Sequence, residues 1–303
     1  MYFVRFNAPR VITQSDPKAF EKRALRWLAM REGENNYFLT MLPGLVNDGP
    51  RLGQHFFTVE EDNCVQAAGV LLPNGSLCMT WATHEVLDAL VETLVQAKWR
   101  IRNIHGPGHV AGYLGRIYAQ RTNQRAELGR GERVYQLARN YFELPSQGHL
   151  EVATPADRAL VREWVEGFVE EAAFELDGRT FDQITDALIG PRVLYFWKSP
   201  EPVSMAAWVA PTANGASINF VYTPPEFRGQ GYGKAVSAAL GSQMLASGLR
   251  YCFILTDIND QRTNAMYQSI GARTLCEFMR CTMLPKEAVT SAKVDMNAAS
   301  LTR

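Results

Sequence analysis

The segment Asn219–Lys234, NFVYTPPEFRGQGYGK, gathers residue types that can hold an anion. It reads as a short strand, a Pro-Pro break, and an Arg-Gly-x-Gly-x-Gly turn that enters a helix. A strand feeding a glycine-rich turn at a helix start aims several backbone N–H groups in one direction. With the helix dipole, those groups make a site for a pyrophosphate. Two phosphate motifs fail at named positions. A Walker A loop requires Ser or Thr after its lysine, and Lys234 is followed by Ala235. A G-x-G-x-x-G dinucleotide fingerprint begun at Gly229 and Gly231 puts its third position on Lys234.

What remains is the pattern R-x-x-G-x-G, filled by Arg228, Gly231 and Gly233 and preceded by Val221-Tyr222-Thr223-Pro224-Pro225. This resembles the acetyl-coenzyme A signature of the GCN5-related N-acetyltransferase family, in its FR47-like and glycine N-acyltransferase-like branch. The resemblance runs from about Ile218 to Ala272. It implies acetyl-coenzyme A as cosubstrate, no metal, and direct transfer of an acetyl or longer acyl group to a primary amine of a small molecule or amino acid. The strand end Val221, Tyr222 and Thr223 would pair with the pantetheine amides, with Pro224 and Pro225 ending further strand pairing. A backbone N–H at Val221 would meet the thioester oxygen. Gly229, Gln230, Gly231, Tyr232, Gly233 and Lys234 would cradle the pyrophosphate.

Arg228 either contacts phosphate or braces the loop. Lys234, a cation opposing the helix dipole, signals a nearby anion or is an ordinary surface lysine. A second block, Thr263–Ala272, resembles the family's fourth helix. There Tyr267 matches the tyrosine that protonates the departing thiolate, or else it is a packing residue. Asn259 and Asn264 would hydrogen-bond the arm, or cap and shape the loop. The general base is unassigned. Glu170, Glu171 and Glu175 lie where the family forms its acceptor pocket, whereas Asn219 stands where some relatives carry a carboxylate. Trp197 and Trp208 read as core before they read as pocket lining. A rival reading is a sensor that binds acyl-coenzyme A without turnover.

Around these residues, 303 residues suffice for two domains. The 31 Lys plus Arg balance 31 Asp plus Glu, which points away from nucleic acid. No apolar run approaches a membrane span, so a cytoplasmic location and no membrane partner are expected. The five cysteines form no C-x-x-C pair and read as buried free thiols. The histidines stand apart from them, without zinc spacing.

Periodicity and turn residues give the order ααβββαβαβ twice: an α/β fold of two tandem copies, each a mixed, mostly antiparallel sheet with helices. In the second copy, Thr154-Pro155-Ala156-Asp157 starts a helix, and another spans Phe181–Ile189. Strands follow at Arg192–Lys198, Val203–Val209 and Ala216–Tyr222, then a helix from Gly231 to Ala246, a strand at Tyr251–Thr256, a helix at Arg262–Ile270 and a strand at Thr274–Leu284. The first copy ends in a strand at Arg133–Leu144. Expected boundaries are residues 1–145 for a copy without a cofactor loop, 146–285 for the catalytic copy and 286–303 for a polar tail. Ala82-Thr83-His84 replaces the glycine loop in the first copy, and Gly106-Pro107-Gly108 reads as a tight turn. The first copy would then serve as scaffold, lid or homodimer surface.

Overall fold

The computed structural model describes residues 8–145, 147–172, 176 and 178–286. Its elements run β1 (Arg10–Gln14), α1 (Pro17–Met30), α2 (Asn36–Asp48), β2 (His55–Glu61), β3 (Cys64–Leu71), β4 (Ser76–Met79), α3 (His84–Gln96), β5 (Asn103–Pro107), α4 (Gly108–Arg121) and β6 (Gln124–Leu137). The same order then repeats as β7 (His149–Val152), α5 (Arg158–Ala172), α6 (Phe181–Ile189), β8 (Leu194–Lys198), β9 (Pro202–Val209), β10 (Gly215–Tyr222), α7 (Tyr232–Ala246), β11 (Tyr251–Asp257), α8 (Gln261–Ser269) and β12 (Arg273–Pro285). Each half therefore opens with a strand that the expected order ααβββαβαβ lacks. β1 and β7 are short strands at the two outer ends of the sheet, too brief to show a period. The expected polar tail lies, beyond Lys286, outside the described residues.

Local chemistry accounts for the helix starts. Thr154 donates its N–H and its hydroxyl to the Asp157 carboxylate at 2.8 and 2.7 Å. The proline that follows begins a 3₁₀ turn, Pro155–Asp157, before α5. Thr180 and Gln183 cap α6 reciprocally, the Gln183 N–H donating to the threonine oxygen at 3.2 Å and the Thr180 N–H donating to the glutamine oxygen at 2.8 Å.

All strands join one 12-stranded sheet ordered β1-β2-β3-β4-β5-β12-β6-β11-β10-β9-β8-β7. The order is symmetric about the β12–β6 pair, and each half sends its last strand into the other. β12 pairs with β5, while β6 pairs with β11. The two exchanged strands pair antiparallel with each other from Arg273↔Gln136 to Pro285↔Gln124. β6 consequently begins at Gln124, nine positions before the strand expected at Arg133–Leu144. Its exposed start, Gln124–Arg130, is rich in charge and reads as loop until β12 lies beside it.

α1, α2, α5 and α6 cover one face of the sheet, and α3, α4, α7 and α8 cover the other. The turn between α1 and α2 reaches across the midline. A Cβ on Gly33 would lie 2.3 Å from Leu275 and 2.9 Å from Phe253, so glycine is needed for this approach. Next to it, the Glu32 carboxylate accepts a hydrogen bond from the Thr212 hydroxyl, and from the Asn214 N–H and side-chain amide at 2.8 and 2.6 Å. Burial pushes this carboxyl up, but the bonds from Thr212 and Asn214 outweigh it and hold the group below its usual range. The stability it contributes is therefore present above an unfolded pKa of about 4.3 and is lost as pH falls through the lower folded value. Glu32→Gln is expected to lower stability by about 2–3 kcal/mol at neutral pH. It should also flatten the acid limb of a pH–denaturation series, which thermal melts would measure.

Candidate functional site

β10 and β11 run parallel but pair only over Gly215–Ser217 against Tyr251–Phe253, whereas β11 continues to Asp257 along β6. Beyond Ser217 the two strands separate and open a wedge. The cause is a bulge. Asn219 pairs with Ala207 and Tyr222 with Met205, so β10 holds one residue more than β9 across this stretch. Phe220 takes the left-handed backbone, φ 51°, and its N–H donates to the Asn219 side chain at 2.7 Å. The asparagine thus spends its oxygen on the bulge. Val221 follows the bulge, in the part of β10 that is no longer laddered to β11.

The chain leaves β10 at Tyr222, turns through Pro225–Phe227 in 3₁₀ form and reaches α7 through the glycines. Gly229 and Gly231 have φ of 80° and 83°, a region that side-chain-bearing residues rarely adopt. No atom lies within 4 Å of a Cβ built on either, so conformation rather than crowding requires glycine here. Gly233 differs, since a Cβ there would approach the Thr223 hydroxyl at 3.2 Å. Gly231 caps α7 without a side chain, and the first-turn amides of Tyr232, Gly233 and Lys234 have no partner within the helix. This 15-residue helix start, with open space beside Gly229 and Gly231, has the geometry of an anion cradle.

Side chains in the loop have other duties. Arg228 donates to the Thr223 carbonyl at 2.8 Å and to Glu171 of α5 at 2.6 Å. These two contacts brace the loop against α5, whichever of its two readings Arg228 serves when a ligand is bound. Arg228→Ala is expected to change acetyl-coenzyme A affinity by less than about threefold, to be checked by calorimetric titration. Glu171 is engaged by this contact, Glu170 is exposed on the helix, and Glu175 lies outside the described residues. The Lys234 ammonium stands 4.1 Å above the Phe142 ring, a cation–π contact rather than a placement on the cradle. Tyr232 donates to the Gln230 side chain at 3.1 Å on the exposed rim. The Tyr222 ring packs on α5, where a Cβ on Gly167 would lie 2.4 Å from its hydroxyl. Ser204 donates to the Tyr222 carbonyl at 3.0 Å and bonds the Thr223 hydroxyl at 2.9 Å, fixing the strand end.

Asn264 is not available to a ligand. Its oxygen accepts from the Tyr135 and Thr256 hydroxyls at 2.9 and 2.8 Å. Its amide donates to the Asp257 and Asp260 carbonyls at 2.8 and 2.6 Å. Both donors and both lone pairs are filled; the residue knots α8 to the end of β11. Asn259 lies exposed at the exit of β11. Tyr267 is 4% exposed, and burial pushes its phenol above the usual range, with Ser237 of α7 as its polar neighbour. It stays protonated throughout the working pH range. Trp197 is buried in the core under α7, and Trp208 packs half-buried against the same core.

The first half lacks this arrangement. Thr83 caps α3 with its own side chain, accepting the Val86 N–H. A Cβ on Gly106 would lie 2.8 Å from the Met79 carbonyl, so β5 lies hard against β4 where the second half opens.

The sequence did not single out a polar group on the midline of the α1–α2–α5–α6 face. Glu132 of β6 lies 3.5 Å from His105 of β5, reaching over Phe278 of β12. The hydrogen bond from His105 lowers the Glu132 pKa against the opposing effect of burial. Glu132 is also the ladder partner of Asp257, which pairs with Arg130 at 3.1 Å. Arg130 and Glu132 of β6 meet Asp257 only because the strand exchange lays β6 against β11.

Among the described residues no helix is long and apolar enough to cross a membrane, and no cluster of His, Cys, Asp and Glu could hold a metal ion. Residues 195–281 match the model of the family described as FR47-like protein. No curated protein matches the chain. Among solved structures, a GCN5-related N-acetyltransferase from Sphaerobacter thermophilus aligns with a TM-score of 0.60 at 15% identity, over 92% of this chain and 97% of its own. A GNAT-family acetyltransferase from Colwellia psychrerythraea aligns with 0.58 at 12% identity, over 91% and 99%. A Drosophila protein gives 0.57 at 11%, over 92% and 99%. At these identities the likeness is one of fold, and it spans both halves. Residues 195–281 thus match the FR47-like family model, and the chain as a whole shares the fold of these solved acetyltransferases.

Proposed function

We propose that this protein is an N-acyltransferase that binds acetyl-coenzyme A in the wedge between β10 and β11 and passes the acetyl group to a primary amine of a small molecule. The observation that carries this reading is the open, glycine-built start of α7 beside a bulged strand end. The amides of residues 229–234 would hold the pyrophosphate, and the strand end from Val221 to Thr223 would hold the pantetheine arm. When bound, acetyl-coenzyme A supplies an activated thioester. The protein orients it and moves protons. Direct transfer is favoured over an acyl-enzyme, because no cysteine or serine stands in a nucleophile motif near the glycine loop.

Tyr267 keeps its proton at working pH and can donate a hydrogen bond to the departing sulfur. Its raised pKa opposes full release of that proton, so its contribution is stabilisation of the thiolate as charge develops. Tyr267→Phe is expected to lower turnover about 10–100-fold with acetyl-coenzyme A affinity unchanged. Thiol-release assays over a series of amines, with calorimetry for affinity, test this. Unchanged turnover in the variant would remove Tyr267 from the mechanism, and tight binding without turnover in the wild type would favour a sensor.

A further inference from the structure

Acyl transfer to an amine requires a proton acceptor on the acceptor side, and neither Asn219 nor Glu171 is free for that role here. Asn219 is committed to the bulge and Glu171 to Arg228. The face of the sheet carrying α1, α2, α5 and α6 does hold a carboxylate and an imidazole together. Glu132 and His105 approach to 3.5 Å, with side chains 37% and 17% exposed. His105 is stacked on Phe278 with ring centroids 5.6 Å apart and meets Tyr37 of α2 edge-on at 5.0 Å, so its ring is held in place from two sides. Glu132 is laddered to Asp257 at the end of β11, the strand that forms one wall of the wedge, so the couple stands one strand from that wall.

We infer that the Glu132–His105 pair is the proton-accepting couple of the acceptor site, so that the first half of the chain completes the active site of the second. This rests on the acyltransferase reading above. In the step, the amine nitrogen bonds to the thioester carbonyl carbon, its surplus proton passes to the couple, and the C–S bond breaks with the electron pair leaving on sulfur. The thiolate is then protonated from solvent, and the couple returns its proton to solvent. The exchange sets β12 between β5 and β6, so Glu132 meets His105 across Phe278 of the second half. The other charged or titratable groups facing it are Tyr37 from α2, Cys78 from β4, Arg280 from β12, Arg130 from β6 and Asp257 from β11.

The test compares the wild type with Glu132→Gln, His105→Phe and Glu132→Asp. Acetyl-coenzyme A binding is read by calorimetry and thiol release is followed against pH, with glycine, ethylamine and water as acceptors. Thermal melts establish that each variant is folded. The fastest amine is also titrated into protein saturated with free coenzyme A. The couple must be deprotonated to act, so the wild-type rate falls as pH drops. Glu132→Gln and His105→Phe should keep wild-type acetyl-coenzyme A affinity, lose about 100-fold in thiol release and show a displaced acid limb, while Glu132→Asp recovers part of the rate. Amine binding should weaken in Glu132→Gln. Wild-type rates and an unmoved acid limb in both Glu132→Gln and His105→Phe would overturn the inference. So would thiol release with none of the three acceptors from wild-type protein that binds acetyl-coenzyme A. Failure of the wild type to bind acetyl-coenzyme A at all would instead remove the acyltransferase reading beneath it.

Discussion

Gly231→Glu is expected to lower acetyl-coenzyme A affinity at least about 100-fold while the protein remains folded. Two effects combine at this position. Its φ of 83° forces a side-chain-bearing residue into the left-handed region, at a cost of about 1–2 kcal/mol. The carboxylate would also sit before the first-turn amides of α7, where it competes with the pyrophosphate for the same donors and repels it. Gly231→Ala separates the two. It carries the backbone strain without the charge, so it should lose stability to a similar degree but retain most of the affinity. Paired thermal melts and calorimetric titrations of both variants measure the difference. If Ala and Glu weakened binding equally, the loss would be conformational and the cradle would have no electrostatic role.

The largest effect on stability is expected at Asn264. Asn264→Ala removes four hydrogen bonds from a residue 5% exposed. It leaves the Tyr135 and Thr256 hydroxyls without their acceptor, whereas the Asp257 and Asp260 carbonyls keep the backbone N–H groups of residues 260 and 264. Unsatisfied buried groups cost about 1–3 kcal/mol each, and local relaxation recovers part of that, so a loss of about 2–4 kcal/mol is expected. Urea denaturation gives the value. Acetyl-coenzyme A affinity of the folded fraction should stay within about threefold of wild type. An asparagine bound to the pantetheine arm would show the opposite pattern, weak binding with little change in stability.

Much of this protein can be read from its sequence because short-range rules govern the parts concerned. The glycines at 229, 231 and 233 mark the turn at α7, and the Thr180/Gln183 and Thr154/Asp157 pairs mark helix starts whose capping bonds are all present. Long-range pairing is what stayed hidden. Nothing local says that β6 leaves its own half and lies between β12 and β11. Hence the expected end of the first copy, Arg133–Leu144, was displaced, and residues 138–142 instead pack against α7, where the Asn140 amide donates to Ser242 at 2.7 Å. The same exchange concealed the pairing of Glu132 with His105. The side-chain roles of Arg228, Lys234 and Asn264 were also beyond local rules. Their partners Glu171, Phe142 and Tyr135 lie far off in sequence.

The proposed function requires one coenzyme A site in the second half of this chain and none in the first. Calorimetric titration of the full chain with acetyl-coenzyme A tests it most directly through the stoichiometry. One site per chain is expected, abolished by Gly231→Glu. No binding would contradict the acyltransferase reading, and two sites per chain would contradict the claim that Thr83 and the close approach of β5 to β4 close the corresponding position in the first half.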